Sequence, residues 1–150
     1  MADKNAFDVE SFLPYLLTQA AEETSLSFQK EYKGRYGMLR TEWRVLFHLG
    51  NYGVMTAQEI GARSKVHKTK ISRAVQKLAE KRFLVRKTDK DDRRRELLEL
   101  TVSGKEAFKY LRKAAQRHDE KLIEEMTKKE EKVLRRALQK LAGLPHRPDK

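Results

Sequence analysis

Apolar positions along this chain follow a helical period for most of its length and switch to a strand-like pattern once. From Ser11 onward, Phe12, Leu13, Leu16, Leu17, Ala20 and Phe28 keep a helical stripe to about residue 32. Ser11 suits an N-cap, and Pro14 is tolerated in a first turn. Gly34 and Gly37 then break the pattern. A second helix is predicted from Thr41, its N-cap, with Trp43, Leu46, Phe47 and Gly50 on one face and Val45 and Leu49 widening it. Asn51-Tyr52-Gly53 ends it, and the short apolar pair Val54-Met55 suits an extra strand.

Thr56 and Glu59 have the spacing of a capping box, in which each side chain satisfies a backbone N–H at a helix start. A short helix over 57 to about 63 follows, with Gly61 where close helix packing would favour a residue without a side chain. The next helix, 67 to about 81, buries Ile71, Ala74, Val75 and Leu78, the spacing i, i+3, i+4, i+7. Lys68, Lys70, Ser72, Arg73, Gln76 and Lys77 fall on its other face. Two β-rich segments, 83 to 88 and 95 to 100, flank a polar tip at 89 to 94 and predict a hairpin. Thr101 then caps a long helix to about 126, striped by Phe108, Leu111, Ala115, His118, Leu122 and Met126. Thr127 and Glu130 form another capping box, and a last helix carrying Val133, Leu134, Leu138 and Leu141 ends at Gly143, before Pro145.

A helix-turn-helix followed by a hairpin is a winged helix-turn-helix. The fold class is therefore mainly α (α+β), with long N- and C-terminal helices left over. The chain is expected to be one domain over 1–150, with the head at about 41–101 and dimerisation helices at about 9–35 and 102–143. A head this small cannot cover so much apolar surface, so the terminal helices are expected to pack against a second copy. The alternative is a monomer that folds them back on itself.

Charge changes the picture most. Between Ser64 and Arg95 there are thirteen Lys/Arg against four acids, a balance of +9 out of +12 for the chain. Positive charge clustered on a helix and adjoining hairpin is the footprint expected for a phosphate backbone. There is no cysteine, which removes disulfides, thiolate zinc sites and thiol redox sensing. No apolar run approaches the length of a membrane span, and Met1 to Asn5 lack the apolar core of a signal peptide. These features lead to the expectation of a soluble, cytoplasmic protein with no membrane contact and no cofactor. Catalysis is not expected. His48, His67, His118 and His146 are scattered without metal-ligand spacing, and no glycine-rich phosphate loop or nucleophile motif is present.

Three stretches resemble the MarR family (multiple antibiotic resistance regulators) of winged-helix transcription factors. The first is Thr56-Ala57-Gln58-Glu59-Ile60-Gly61 running into Thr69-Lys70-Ile71-Ser72-Arg73-Ala74-Val75-Gln76-Lys77-Leu78. The second is Asp92-Arg93-Arg94 through Leu98-Glu99-Leu100-Thr101-Val102-Ser103-Gly104, similar to the family's wing and its L-x-L-T-x-x-G entry to the long helix. The third is Met126-Thr127-Lys128-Lys129-Glu130-Glu131. The resemblance covers about residues 10 to 142, and one departure is Arg82, where the family usually has glycine. It implies a homodimer on a pseudo-palindromic duplex DNA operator, acting as a repressor that a small ligand releases.

A recognition helix reads base edges in the major groove from its N-terminal and exposed positions. His67, Lys68, Thr69, Lys70, Ser72, Arg73 and Gln76 are the expected DNA contacts. Arg73 suits a bidentate contact to guanine and Gln76 one to adenine. Arg93 or Arg94 would enter the minor groove, oriented by an aspartate at the wing base. The resemblance further implies an effector site including Tyr15, Gln19, Trp43, Arg44, Phe47 and His48, with Phe108 and Tyr110 nearby. There Arg44 would hold the carboxylate of an aromatic acid or its thioester. The alternative reading is a winged helix that binds nucleic acid without sequence choice, or a protein-interaction module.

Overall fold

Helix starts in this chain are set by side chains that satisfy orphan backbone N–H groups, and the computed structural model, which describes residues 6–145, shows which side chains do so. Asp8 caps a single 3-10 turn, Val9–Ser11, accepting the Glu10 N–H at 3.0 Å. Ser11 therefore lies inside that turn, donating to Asp8, rather than capping α1 (Leu13–Gln29). Gly34 does not break this helix, which continues as a π-helical stretch, Lys30–Gly34. The chain turns at Gly37, whose φ of +65° suits glycine. In α2 (Arg40–Tyr52) the N-cap is Leu39 rather than Thr41. Leucine has no oxygen to cap with, so Glu42 does the work, accepting the Leu39 N–H at 3.0 Å.

The two predicted capping boxes are present. Thr56 accepts the Glu59 N–H at 3.1 Å and Glu59 the Thr56 N–H at 3.3 Å, starting α3 (Ala57–Ser64). Thr127 and Glu130 do the same at 3.1 Å each, starting α6 (Lys128–Leu141). Between them lie α4 (Lys68–Glu80), β1 (Leu84–Thr88), β2 (Glu96–Leu100) and α5 (Val102–Leu122), which ends a turn earlier than its stripe predicts. β1 and β2 are antiparallel, with Leu84 opposite Leu100 and Arg86 opposite Leu98. Met55 joins the sheet as one bridge, exchanging N–H···O bonds of 3.2 and 2.8 Å with Leu98.

The chain forms two compact units, one up to Ala115 and one from Gln116. In the first, Val45, Leu46 and Leu49 of α2 bury against a core that includes Ile60 of α3 and Ile71, Val75 and Leu78 of α4. Leu84 and Leu98 of the sheet and Leu111 of α5 belong to the same core. Phe12, Leu13, Leu16 and Leu17 stay exposed on this unit. In the second, Arg135 of α6 holds Asp119 at 2.7 Å and Glu131 at 3.1 Å, while Leu134, Leu138 and Leu141 are exposed.

Close packing does not fall where the sequence places it. A Cβ on Gly61 would meet Val66 O at 3.4 Å and Ile71 at 3.8 Å, ordinary contact that leaves room for alanine. The excluded positions are Gly50, which lies against the Phe108 ring, and Gly104, which lies against the Phe83 carbonyl. Gly104 explains the L-T-x-x-G spacing. Thr101 Oγ1 accepts the Gly104 N–H at 3.0 Å and donates to Arg82 O at 2.7 Å, while Thr101 N–H donates to Phe83 O at 3.1 Å. The start of α5 is thus sewn to the end of α4 at the foot of the wing.

That end is a Schellman motif. Phe83 N–H donates to Leu78 O at 2.9 Å and Arg82 N–H to Ala79 O at 3.0 Å, with Arg82 at φ +63°. The same motif closes α6, with Gly143 at φ +72° in the matching place. The helix therefore ends as a glycine would end it, and Arg82 holds a left-handed backbone that costs a residue with a Cβ about 1 kcal/mol. Replacing exposed Arg82 by glycine should stabilise the protein by up to about 1 kcal/mol, raising Tm by about 2–4 °C. Gly104→Ala should instead cost about 2–3 kcal/mol, because a backbone carbonyl cannot yield as a side chain does. Denaturant unfolding of both variants measures the two signs.

Candidate nucleic-acid interface

The buried stripe of α4 leaves its opposite face to solvent, and the residues predicted to read DNA lie there. Lys68, Thr69, Lys70, Ser72, Arg73 and Gln76 are all exposed. His67 is not in the helix but caps it, its Nδ1 accepting the Thr69 N–H at 3.2 Å. In the neutral ring this puts the proton on Nε2, leaving a donor on an exposed side chain at the helix start. Lys68, Lys70 and Arg73 have no acid partner among the described residues. Gln76 donates to Glu80 at 3.3 Å, and Lys77 lies 3.7 Å from the same carboxylate.

The wing tip is built by its aspartates. Asp89 accepts the Asp91 N–H and Asp92 the Arg94 N–H, each at 3.0 Å, so the turn is set by Asx bonds. Asp92 therefore holds the Arg94 backbone. Its carboxylate is 3.7 Å from Arg94 Nε, an ion pair without bidentate geometry, and the Arg94 side chain is 95% exposed. Arg93 is exposed beside it.

Several of the basic residues behind the charge excess serve internal bonds. Lys81 Nζ donates to Glu42 at 2.9 Å and to Gly37 O at 2.7 Å. Arg95 bonds Glu59 at 3.0 Å, Arg86 lies 3.8 Å from Glu96, and Lys87 meets Glu99 at 2.5 Å, which holds the Glu99 carboxyl below its usual range. The acids in these pairs come from outside the basic segment. With the helix start read at Thr41, Glu42 carried no signal in the sequence, and neither did its pairing with Lys81 or that of Arg95 with Glu59.

The expected effector residues divide. Trp43 and Phe47 join an aromatic cluster: Phe28–Trp43 and Trp43–Phe47 centroids are 4.9 Å apart, and Phe47–Phe108 5.5 Å. Arg44 is half-buried and donates to Ser64 O at 2.8 Å. Burial, and secondarily the charge of Arg40, pulls Arg44 below its usual pKa. His48 Nδ1 donates to Arg44 O at 2.6 Å. Tyr110 donates to Glu31 at 3.2 Å, with the Arg35 guanidinium 3.9 Å over its ring. Tyr15 and Gln19 are exposed on α1 (Leu13–Gln29), about 20 and 14 Å upstream of Phe28 at 1.5 Å per residue, and do not join the cluster. Among the described residues no histidine, aspartate and glutamate group has a metal-binding arrangement, and His146 lies outside them.

Comparison with known proteins agrees with this geometry. Residues 36–95, the α2-to-wing segment, match the model of the MarR family. The chain is 28% identical over 130 residues to an HTH-type transcriptional regulator of Bacillus subtilis, YwaE, covering 87% of this chain and 76% of that one. It superposes on a MarR/EmrR family transcriptional regulator from Acinetobacter sp. ADP1 with TM-score 0.81 and 25% identity, covering 91% of this chain and 96% of that one. Bordetella bronchiseptica BpsR, whose DNA binding is regulated by 6-hydroxynicotinic acid, shares the fold at TM-score 0.83 and 16% identity, covering 94% and 100%.

Because Glu42 is buried and serves both a cap and an ion pair, Glu42→Ala should cost about 2–3 kcal/mol. Glu42→Gln, which keeps an acceptor for Leu39, should cost less. Urea unfolding of the two variants tests this ordering, and equal stabilities would show that neither bond matters.

Proposed function

We propose that the chain is a transcriptional regulator of the MarR family, working as a homodimer that reads a pseudo-palindromic operator and represses from it until a small ligand binds. The family's members are DNA-binding regulators rather than enzymes. The observation that carries the DNA reading is the exposed face of α4, where Lys68, Lys70 and Arg73 lack acid partners among the described residues while basic neighbours are internally paired.

In this reading α4 enters the major groove. Arg73 pairs with guanine, Gln76 with adenine once it leaves Glu80, and His67 Nε2–H and Lys70 meet base or phosphate acceptors. Lys68, Thr69 and Ser72 hold the backbone near the helix N-terminus. Arg93 and Arg94 enter the adjacent minor groove, where the negative potential is focused. The head and the flanking helices act as one domain. The exposed leucines and phenylalanine of α1 and the exposed leucines of α6 each supply apolar surface for the second copy.

The release step rests on Arg44. One of its N–H groups holds Ser64 at the end of α3, and it follows Trp43 on α2, whose ring packs on Phe47. An aromatic acid bound by Arg44, with Tyr15 and Gln19 reached by rearrangement, would shift the head only if it prefers one head spacing over the other. The regulation of BpsR by 6-hydroxynicotinic acid supports that ligand class.

Selection of duplexes from a random pool should return half-sites about 10 bp, about 34 Å, apart. A pool without enrichment would favour a non-specific architectural role instead. Light scattering should give about twice 17.6 kDa. With about four to five phosphates neutralised per head, log K against log salt should fall with a slope of about −8, and a slope shallower than about −3 would rule out a wrapped duplex. Arg73→Ala should cost about 1–3 kcal/mol and relax one base position, whereas Lys68→Ala should weaken all sequences alike.

A further inference from the structure

Among the described residues, Glu59 is the carboxylate that bonds both the helix-turn-helix and the wing. Its Oε2 accepts the Thr56 N–H at 3.3 Å, closing the capping box of α3. Its Oε1 accepts from Arg95 Nη2 at 3.0 Å. Arg95 lies at the last residue before β2, at the foot of the tip that carries Arg93 and Arg94. Its backbone closes that tip, since Asp89 N–H donates to Arg95 O at 3.0 Å and Arg95 N–H to Asp92 O at 2.9 Å. Its guanidinium also lies 4.0 Å from Asp89. Met55, just before α3, also joins the wing through its bridge to Leu98, three residues on from Arg95. The Arg95 side chain is a second hold, nearer the tip.

We propose that Arg95, acting through Glu59, is the positioning residue that fixes the angle of the wing against the helix-turn-helix, so that the tip arginines reach the minor groove when α4 is seated in the major groove. This rests on the DNA reading above. Arg95 itself neutralises no phosphate, because its charge is already matched by Glu59 and Asp89. The pair is half exposed on each side, and exposed pairs are weak, so its effect is one of aim rather than of stability.

The test uses the full-length dimer, the duplex recovered by selection, and three variants. Glu59→Gln keeps an acceptor for the Thr56 cap and removes the charge partner. Arg95→Ala removes the clamp, and Arg95→Lys keeps a single charge. The expected result is that Glu59→Gln and Arg95→Ala each weaken binding about 5-fold with an unchanged salt slope. Each should lose hydroxyl-radical protection in the minor groove but keep guanine N7 protection in the major groove. Their effects should not add to each other, nor to that of the Arg93→Ala/Arg94→Ala double variant. Arg95→Lys should restore part of the minor-groove protection. If Glu59→Gln binds and protects like the wild type while Arg95→Ala is weak with a salt slope shallower by about 1, Arg95 is a phosphate contact and the proposal is overturned. If both variants protect the minor groove normally, it is overturned as well. A wild-type protein that selects no duplex would overturn the DNA reading itself, and the proposal with it.

Discussion

The buried Glu42 carboxylate is the constraint on which the reading head depends. Desolvating a carboxylate is costly, so it must be met on every side. Here one oxygen accepts the Leu39 N–H that starts α2, and the other meets Lys81 just past the end of α4. Lys81 also reaches Gly37 O, at the turn before α2. The start of one helix and the end of another are thereby held at a fixed separation, with the apolar stripe of α4 packed between. The pitch of the exposed face of α4 follows from that, and so does the direction in which Arg73 and Lys70 point away from the core.

The same economy governs charge. A basic segment would attract any polyanion if every cation were free. Acids from α2, α3 and β2 instead occupy Lys81, Arg95, Arg86 and Lys87. Within the basic segment, Lys68, Lys70 and Arg73 of α4 and Arg93 of the tip have no acid partner among the described residues. Internal pairing thus narrows the positive field of the segment to a few cations on exposed edges.

The wing is joined to the head by four devices of different stiffness. The Schellman turn at Arg82 and the Thr101–Gly104 clamp are backbone-based and hard to deform. The Met55–Leu98 bridge is a pair of backbone bonds between two strands. The Arg95–Glu59 bond is a side-chain contact that salt or substitution can loosen. Arg82 in a left-handed conformation shows that the turn is over-determined by its neighbours, since a glycine would adopt it more cheaply.

Local rules made much of this protein legible from its residues. Helical periodicity located the apolar faces of α1, α2, α4, α5 and α6, and capping spacing located the starts of α3 and α6, because those bonds join residues three apart. The exposed face of α4 followed from short-range pattern in the same way, while the strand expected at Val54-Met55 is reduced to a single bridge at Met55. The departures were also local competitions: Ser11 was drawn into the turn capped by Asp8, leaving α1 without a side-chain cap, Thr41 lost its cap to Leu39 with Glu42, and Gly34 stayed helical because a π-helical stretch absorbed it. What only the tertiary structure decided was the pairing of residues far apart in the chain, Glu42 with Lys81, Glu59 with Arg95, Arg44 with Ser64 and Gly104 with Phe83. Periodicity says which face of an element is buried but not which neighbour meets it. A charged side chain reads alike in sequence whether it faces solvent, phosphate or a buried carboxylate, and only the packing of the elements distinguishes them.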